Sequence, residues 1–222
     1  MKKIVLFLSA AVFVTACNSS TEGDKATTTD AQTVASTEGD VFAIDSTTTV
    51  TWVGSKPVGD SHDGTFKVSE GSLTVKDNVL TAGNFAIDIN SLNNLDLAGD
   101  ADSKGKLEGH LKSADFFDVS KYPTAKFEIT GVEVFVADSA SKDLKIAGAT
   151  HTIKGNLTLK DSTKNIAFPA KVAVTATKVT AVADFNIDRT LWGMNYKGPN
   201  NPQDWIINRN VNIKLNISAT KK

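Results

Sequence analysis

The sequence predicts an all-β fold, an antiparallel barrel or sandwich that carries one short helix. Three observations predict it. From residue 41 onward apolar and polar side chains alternate at period two, in short runs of hairpin spacing. Turn residues punctuate those runs, and no internal repeat suggests a propeller or solenoid. One segment, within residues 102–123, replaces the alternation with helical spacing and ends in an aromatic corner.

The N-terminus comes first. "MKK" is a short basic head, and "IVLFLSAAVFVTA" is an apolar run of signal-peptide length, too short to span a bilayer as a helix. It ends in "VTAC", Val14 to Cys17, with small residues directly before the only cysteine of the chain. That is the bacterial lipobox pattern, in which a lipid is attached to the cysteine thiol and cleavage makes Cys17 the new N-terminus. Residues 1–16 are therefore expected to be a lipoprotein signal peptide. A single thiol leaves no intramolecular disulfide. Residues 17–40, rich in Ser, Thr, Asp, Glu and Gly, hold few large apolar side chains and read as the lipidated Cys and a disordered tether.

Residues 41–220 then fit one domain of ordinary size. "TVTWVGSK" sets Val50 and Trp52 on one face; "TFKVSEGSLTV" gives Phe66 and Val68, a Glu-Gly turn, then Leu73 and Val75. Phe85, Ile87 and Ile89 share the next face, followed by Phe127 and Ile129, then Val132, Val134 and Val136, then Leu144 and Ile146. Ile153, Leu157 and Leu159 precede Ile166, Phe168, Val172 and Val174. The pattern finishes with Val179, Ala181, Ala183, Phe185 and Ile187, then Val211, Ile213, Leu215 and Ile217.

The exception is "GDADSKGKLEGHLKSADFF". Leu107, Leu111 and Ala114 recur at helical spacing, with Asp102 or Ser103 as N-cap. Gly105 and Gly109 weaken the helix, so packing must hold it. Phe116 and Phe117 follow directly, and Pro123 disfavours a helical Tyr122 and suits the first residue of a strand. Asp115, Asp118 and Lys112 are expected to cap and solvate this corner.

A small closed barrel either fills its interior or encloses one ligand. Small residues, Ala86, Ala125, Ala181 and Ala183, sit near bulky Phe and Ile positions, which suits a cavity and equally an ordinary packed taper. "HLKSADFFDVSKYPTAKFEIT" resembles the signature of the YceI family, periplasmic proteins with a lipocalin-like barrel that bind polyisoprenoids. "VTWVGSKPVGDSHDGTFKVSEGSL" is similar to that family's opening hairpin, "IKGNLTLKDSTKNIAFPAKV" to its next strand pair, and "FNIDRTLWGMNY" to its "F-x-IDR" segment. Asp161 stands where the family commonly has Gly, and "GPNNPQDWIINR" looks irregular. The resemblance implies a closed antiparallel lipocalin-like β-barrel with a long apolar pocket and no established catalysis.

The expected function is a membrane-anchored binding or carrier protein for polyisoprenoid or quinone-type lipids, not an enzyme and without another cofactor. Pocket candidates are Trp52, Phe66, Phe85, Ile87, Phe116, Phe117, Phe127, Ile129, Ala183, Phe185 and Ile187. Asp188 and Arg189 read either as a salt bridge at the barrel mouth or as head-group contacts. A structural or stress-related envelope lipoprotein with a dry barrel is the second reading, and an enzyme at the barrel mouth the third. Loss of Lys2 and Lys3 with the signal peptide takes the formal net charge from −1 to −3, which offers phosphate backbones no basic stripe and argues against nucleic acid. His62, His110 and His151 are the only histidines, each beside a turn or helix start, and no metal is expected. Asn18 after the cysteine is not the Asp that retains lipoproteins in the inner membrane, which favours an outer-membrane location.

Overall fold

The computed structural model describes residues 23–137, 143–199 and 206–222. The signal peptide, Cys17 and part of "GPNNPQDWIINR" lie outside the described residues. Among the described residues, eleven strands and one α-helix follow in the order β1 Asp24–Lys25, β2 Thr27–Asp30, β3 Asp40–Ile44, β4 Thr49–Ser55, β5 Ser61–Lys76, β6 Val79–Asn94, α1 Ala101–Lys112, β7 Thr124–Val134, β8 His151–Leu159, β9 Ser162–Val174, β10 Lys178–Asp188 and β11 Asn210–Lys221.

Strands β5 to β11 are antiparallel neighbours in chain order, and the ring closes through β3 and β4, which share one position between β5 and β11. The result is a closed barrel of eight strand positions. Sharing one position requires a kink, and Asp45 to Thr48 supply it. Thr48 Oγ1 donates to Ser218 O at 2.9 Å, and Ser218 N donates back to Thr48 Oγ1. Ser218 Oγ and Thr47 donate to the Asp45 carboxylate. These donors hold Asp45 down at about 2.

Hairpin turns follow local chemistry. Asp77 and Asn78 both take positive φ, 54° and 62°, as a two-residue turn between right-twisted strands demands. Lys160 does the same, at φ 55°, in the β8–β9 turn, so the Asp161 beside it needs no glycine. The Glu70-Gly71 dipeptide, expected to turn, lies inside β5 instead. Register shifts between Thr65 and Lys67 and between Val68 and Glu70 show that the strand bends through bulges rather than reversing. Leu144 and Ile146, expected to form a strand, lie in an irregular connection whose Lys145 N donates to Asp24.

The larger correction concerns the disordered tether of residues 17–40. Its described part, from residue 23, is woven into the barrel. β9 and β10 pair directly only from Val179–Val174 to Val182–Lys171. Beyond that they part, and the N-terminal segment enters the gap, β1 running parallel to β10 and β2 antiparallel to β9. Ala26 turns into the core there, at 7% exposure. The chain then straps across the outer wall: Asn156 exchanges two hydrogen bonds with the Gln32 backbone, Ala35 N donates to Ile129 O, and Glu38 pairs with Lys76. Hydrophobicity missed this because backbone ladders and outward asparagines, not apolar burial, hold the segment. Asn156, Asn165, Asn186 and Asn212 point away from the cavity yet are buried, and Gly23 or Gln32 of the strap bonds two of them.

Two outcomes follow. A chain beginning at residue 41 should melt well below one beginning at residue 23, or fail to fold, because the open half of the β9–β10 seam would expose unpaired edges; thermal melts of the two compare this directly. Asp45, with its folded pKa below that of the unfolded chain, stabilises above about pH 4. That contribution is lost as pH falls toward 2, so Asp45→Asn should flatten the decline in denaturant midpoint between pH 4 and 2.

Candidate functional site: an apolar cavity with one polar mouth

The strand ends define two barrel ends. One carries α1, the ends of β4, β6, β8 and β10, and the starts of β5, β7, β9 and β11. Helix α1 starts at Ala101, with Asp100 as its N-cap: the Asp100 carboxylate accepts from Ser103 N and Oγ. The cap therefore sits two to three residues before the positions read from the sequence. No residue of α1 is fully buried, so packing holds it as a lid through side contacts. Lys104 donates to Asn93 and Asn94, and Glu108 accepts from Asn94 N at 2.8 Å.

After the helix the corner is built by backbone bonds. Phe116 N and Asp118 N donate to Ser113 O, Phe117 N to Leu111 O, and Val119 N to Lys112 O. Asp118 adopts φ 48°, and its carbonyl then accepts from Lys121 N and Tyr122 N. The turn throws both phenylalanines inward. Phe117 meets Phe66 edge-on at 5.5 Å. Phe116, 7% exposed, packs against His110 and Tyr196, with the Arg189 guanidinium 5.7 Å from its ring centre. Asp115 pairs with His110 and Asp118 with Lys121, whereas Lys112 contributes its carbonyl.

Inside lies a cavity of about 300 Å³. Its wall includes Trp52, Phe66, Phe85, Ile87, Phe127, Ile129, Phe185 and Ile187 from the strands, with Ala183, and Phe116 and Phe117 from the corner. Ala125 and Ala181 join them, but Ala86 pairs with Lys126 away from the cavity wall. A chain of rings crosses the wall: Phe85 to Phe127 at 6.3 Å, Phe127 to Phe168 at 6.1 Å, and Phe168 stacked on Phe185 at 4.0 Å. Gly155 makes it possible. A Cβ there would stand 2.2 Å from the Phe127 ring, so only glycine lets that ring lie flat across β8.

Polar residues line the cavity only near the helix end, where Ser55, Lys56, Asp60, His62, His110 and Asn208 form a mouth. His62 Nδ1 lies 2.7 Å from Asp96. Burial pushes the Asp96 carboxyl up, but hydrogen bonds from His62, Asp63 N and Asn94 outweigh it and hold the group below its usual range. His151 instead bonds Thr150 at the opposite end, so the three histidines do not converge.

Asp188 and Arg189 do not pair as a mouth-closing bridge. Arg189 is 2% exposed and donates to the carbonyls of Asn208, Met194, Tyr196 and Ile207. Burial lowers its pKa, opposed by the Asp188 charge. Asp188 caps a 3-10 turn, Arg189–Trp192, by accepting from Thr190, and pairs with Arg209 at 3.2 Å. Both therefore fix the loops around the mouth. Sequence reasoning missed Gly155, Asn208 and the His62–Asp96 pair; only the crossing of strands at the mouth brings the latter together.

This geometry defines a class: a small, closed antiparallel barrel with an apolar cavity, one polar mouth and a helical lid. Residues 26–219 match the YceI-like domain, and the chain belongs to that family. Residues 1–18 match the prokaryotic membrane lipoprotein lipid attachment site, which makes it a lipid-anchored protein of the bacterial cell envelope. Among relatives, the UPF0312 protein of Enterobacter sp. (strain 638) is 34% identical over 109 residues, 49% of this chain and 47% of that protein. A UPF0312 protein of Pseudomonas aeruginosa is 33% identical over the same length, 49% of this chain and 48% of its own. The chain thus spans about half the length of the curated relatives it matches. Burkholderia cenocepacia BcnA shares the fold at TM-score 0.60 and 20% identity, covering 80% of this chain and 99% of that one. A polyisoprenoid binding domain from Saccharophagus degradans, implicated in plant cell wall breakdown, shares it at TM-score 0.55 and 15% identity, covering 82% and 98%.

Gly155→Val should force the Phe127 ring off β8 and into the cavity. Overpacking of this kind costs about 1–3 kcal/mol. Adding Phe127→Ala should recover part of that loss, and thermal melts of the two single variants and the double measure the coupling.

Proposed function

We propose that this lipoprotein binds the apolar chain of an isoprenoid or quinone-type lipid in its barrel and carries it at the envelope membrane, without catalysis. The observation that supports this most is the cavity: about 300 Å³, walled by apolar side chains, with polar residues gathered at one end. Pockets for small ligands begin near that size, about 300–1,000 Å³. Each buried methylene contributes about 0.8 kcal/mol, so a long hydrocarbon chain binds there without polar anchors. The polar mouth then offers a head group polar side chains. Family membership and the polyisoprenoid-binding neighbour point the same way. Asn18 after the lipidated Cys17 favours the outer membrane as the site of anchoring.

Protein purified from its native host should release a long-chain apolar lipid into organic extract, identified by mass spectrometry. Ala183→Trp, which adds bulk at a small position on the cavity wall, should lose that lipid while keeping a cooperative melt. A wild type free of lipid, together with an Ala183→Trp variant destabilised by about 1–3 kcal/mol or more, would leave the dry structural barrel as the better reading.

A further inference from the structure

We infer that the cavity is a ruler closed at one end: it encloses a hydrocarbon chain of about twelve carbons, about three isoprene units in length, and gains no affinity from carbons beyond that. The inference rests on the proposed lipid binding and adds the length of chain that the site takes. The far end of the barrel is solid. Phe42, Val75, Val172, Val179 and Ala219 lie in the buried core, and none of them reaches the cavity wall. Val179 and Ala219 pair in the β10–β11 register, both at 0% exposure. The boundary follows the kink between β3 and β4, which share one place in the ring. Val50 and Trp52 of β4 line the cavity, whereas Phe42 of β3 fills the end beyond it. Leu73, opposite Phe42, and Leu80, opposite Val75, are the wall residues set against this plug. With Ala181, two residues from Val179 on the same face of β10, they form the floor.

Length and volume agree on what fits. On β10 the wall runs from Ala181 at the floor to Ile187 near the mouth, and on β11 from Ile217 to Val211. Each span is six residue steps, about 20 Å along the strand. Strands of a small barrel tilt by about 40°, which leaves about 15 Å along the axis. Carbon–carbon bonds of about 1.5 Å advance an extended zigzag chain by about 1.3 Å each, so about twelve carbons reach from mouth to floor. By volume, a dry cavity of about 150 Å³ takes one benzene, about six carbons. The space here, about 300 Å³, is twice that and takes about twelve. A cavity that admits the same number of carbons by length and by volume holds one extended chain and has no room for it to double back. Polarity fixes the direction of entry. Polar side chains line the cavity only at the mouth, so a head group stays there and the tail goes in first. The tail stops at Leu73 and Leu80, and further carbons remain outside the mouth, where they bury nothing.

The test uses the mature chain with Cys17→Ser, so that no acyl anchor competes for the cavity, stripped of bound lipid on an apolar resin. The probes are alkyl ethers of hexaethylene glycol, one neutral head group on chains of about six to eighteen carbons, so that each step adds apolar area alone. Each is kept below its micelle concentration, and binding is read by tryptophan fluorescence, since Trp52 lies on the cavity wall. Affinity should rise about fourfold with each added carbon and level off at about twelve. Leu80→Ala removes three carbons from the floor and should move the break to about fifteen, whereas Ala181→Leu adds three and should move it to about nine. A cooperative melt shows which variants are folded, and one folded variant is enough. A slope unbroken past about fifteen carbons in the unsubstituted barrel, or a plateau already reached by about eight, overturns the ruler and leaves lipid binding standing. A break that stays in place in a folded floor variant overturns it as well. Absence of binding at every length overturns the ruler and the lipid-binding reading together.

Discussion

The structure depends on a seam that two strands cannot close by themselves. β9 and β10 pair directly over four residue pairs and then diverge. An open seam in a barrel this small would expose two strand edges to solvent and to other chains. The N-terminal strap completes the ladder on both sides, parallel to β10 and antiparallel to β9, and places Ala26 in the core. Closure, rather than any single apolar contact, is what lets the interior remain an enclosed apolar space.

Once closed, the barrel need not fill that space, and the mouth shows how its shape is held. Arg189 is buried against Phe116 and saturated by backbone carbonyls from two stretches of the loop before β11. A guanidinium so placed contributes five planar donors in fixed directions, which suits the gathering of carbonyls that no strand ladder satisfies. The charge serves architecture: it positions Phe116, Tyr196 and the loop at residues 206–208 around the opening. The aromatic corner thus plugs one side of the barrel end and frames the mouth on the other.

The strands and their inward faces were legible in the sequence because both rest on period-two alternation, while the closed barrel and its pocket were implied by the family resemblance. Trp52, Phe66, Phe127 and Phe185 reach the cavity from four different strands, as their spacing predicts. Three features were not legible, each for a physical reason. The strap has no apolar periodicity, since β2 is Thr-Thr-Thr-Asp and is held by ladder bonds. Glu70-Gly71 has turn composition, but bulges absorb it within a long strand. Arg189 and Asp188 are adjacent and of opposite charge, which suits either a pair or head-group contacts. Successive residues at a strand end point to opposite faces, so one turned inward to carbonyls and the other outward to Arg209.

The strap also joins the two halves of the lipoprotein. The segment that seals the seam is the one that leads back to Cys17. A long apolar chain is nearly absent from water, because each exposed methylene costs about 0.8 kcal/mol. A carrier for such a chain gains nothing from diffusing freely and gains much from a high local concentration at the surface where the lipid resides. A long disordered tether would spread that concentration over a wide volume. A tether consumed by strand pairing, with only a few residues left between barrel and lipid, confines the distance. The segment that seals the barrel is therefore also the one that limits how far the barrel can stand from its anchor.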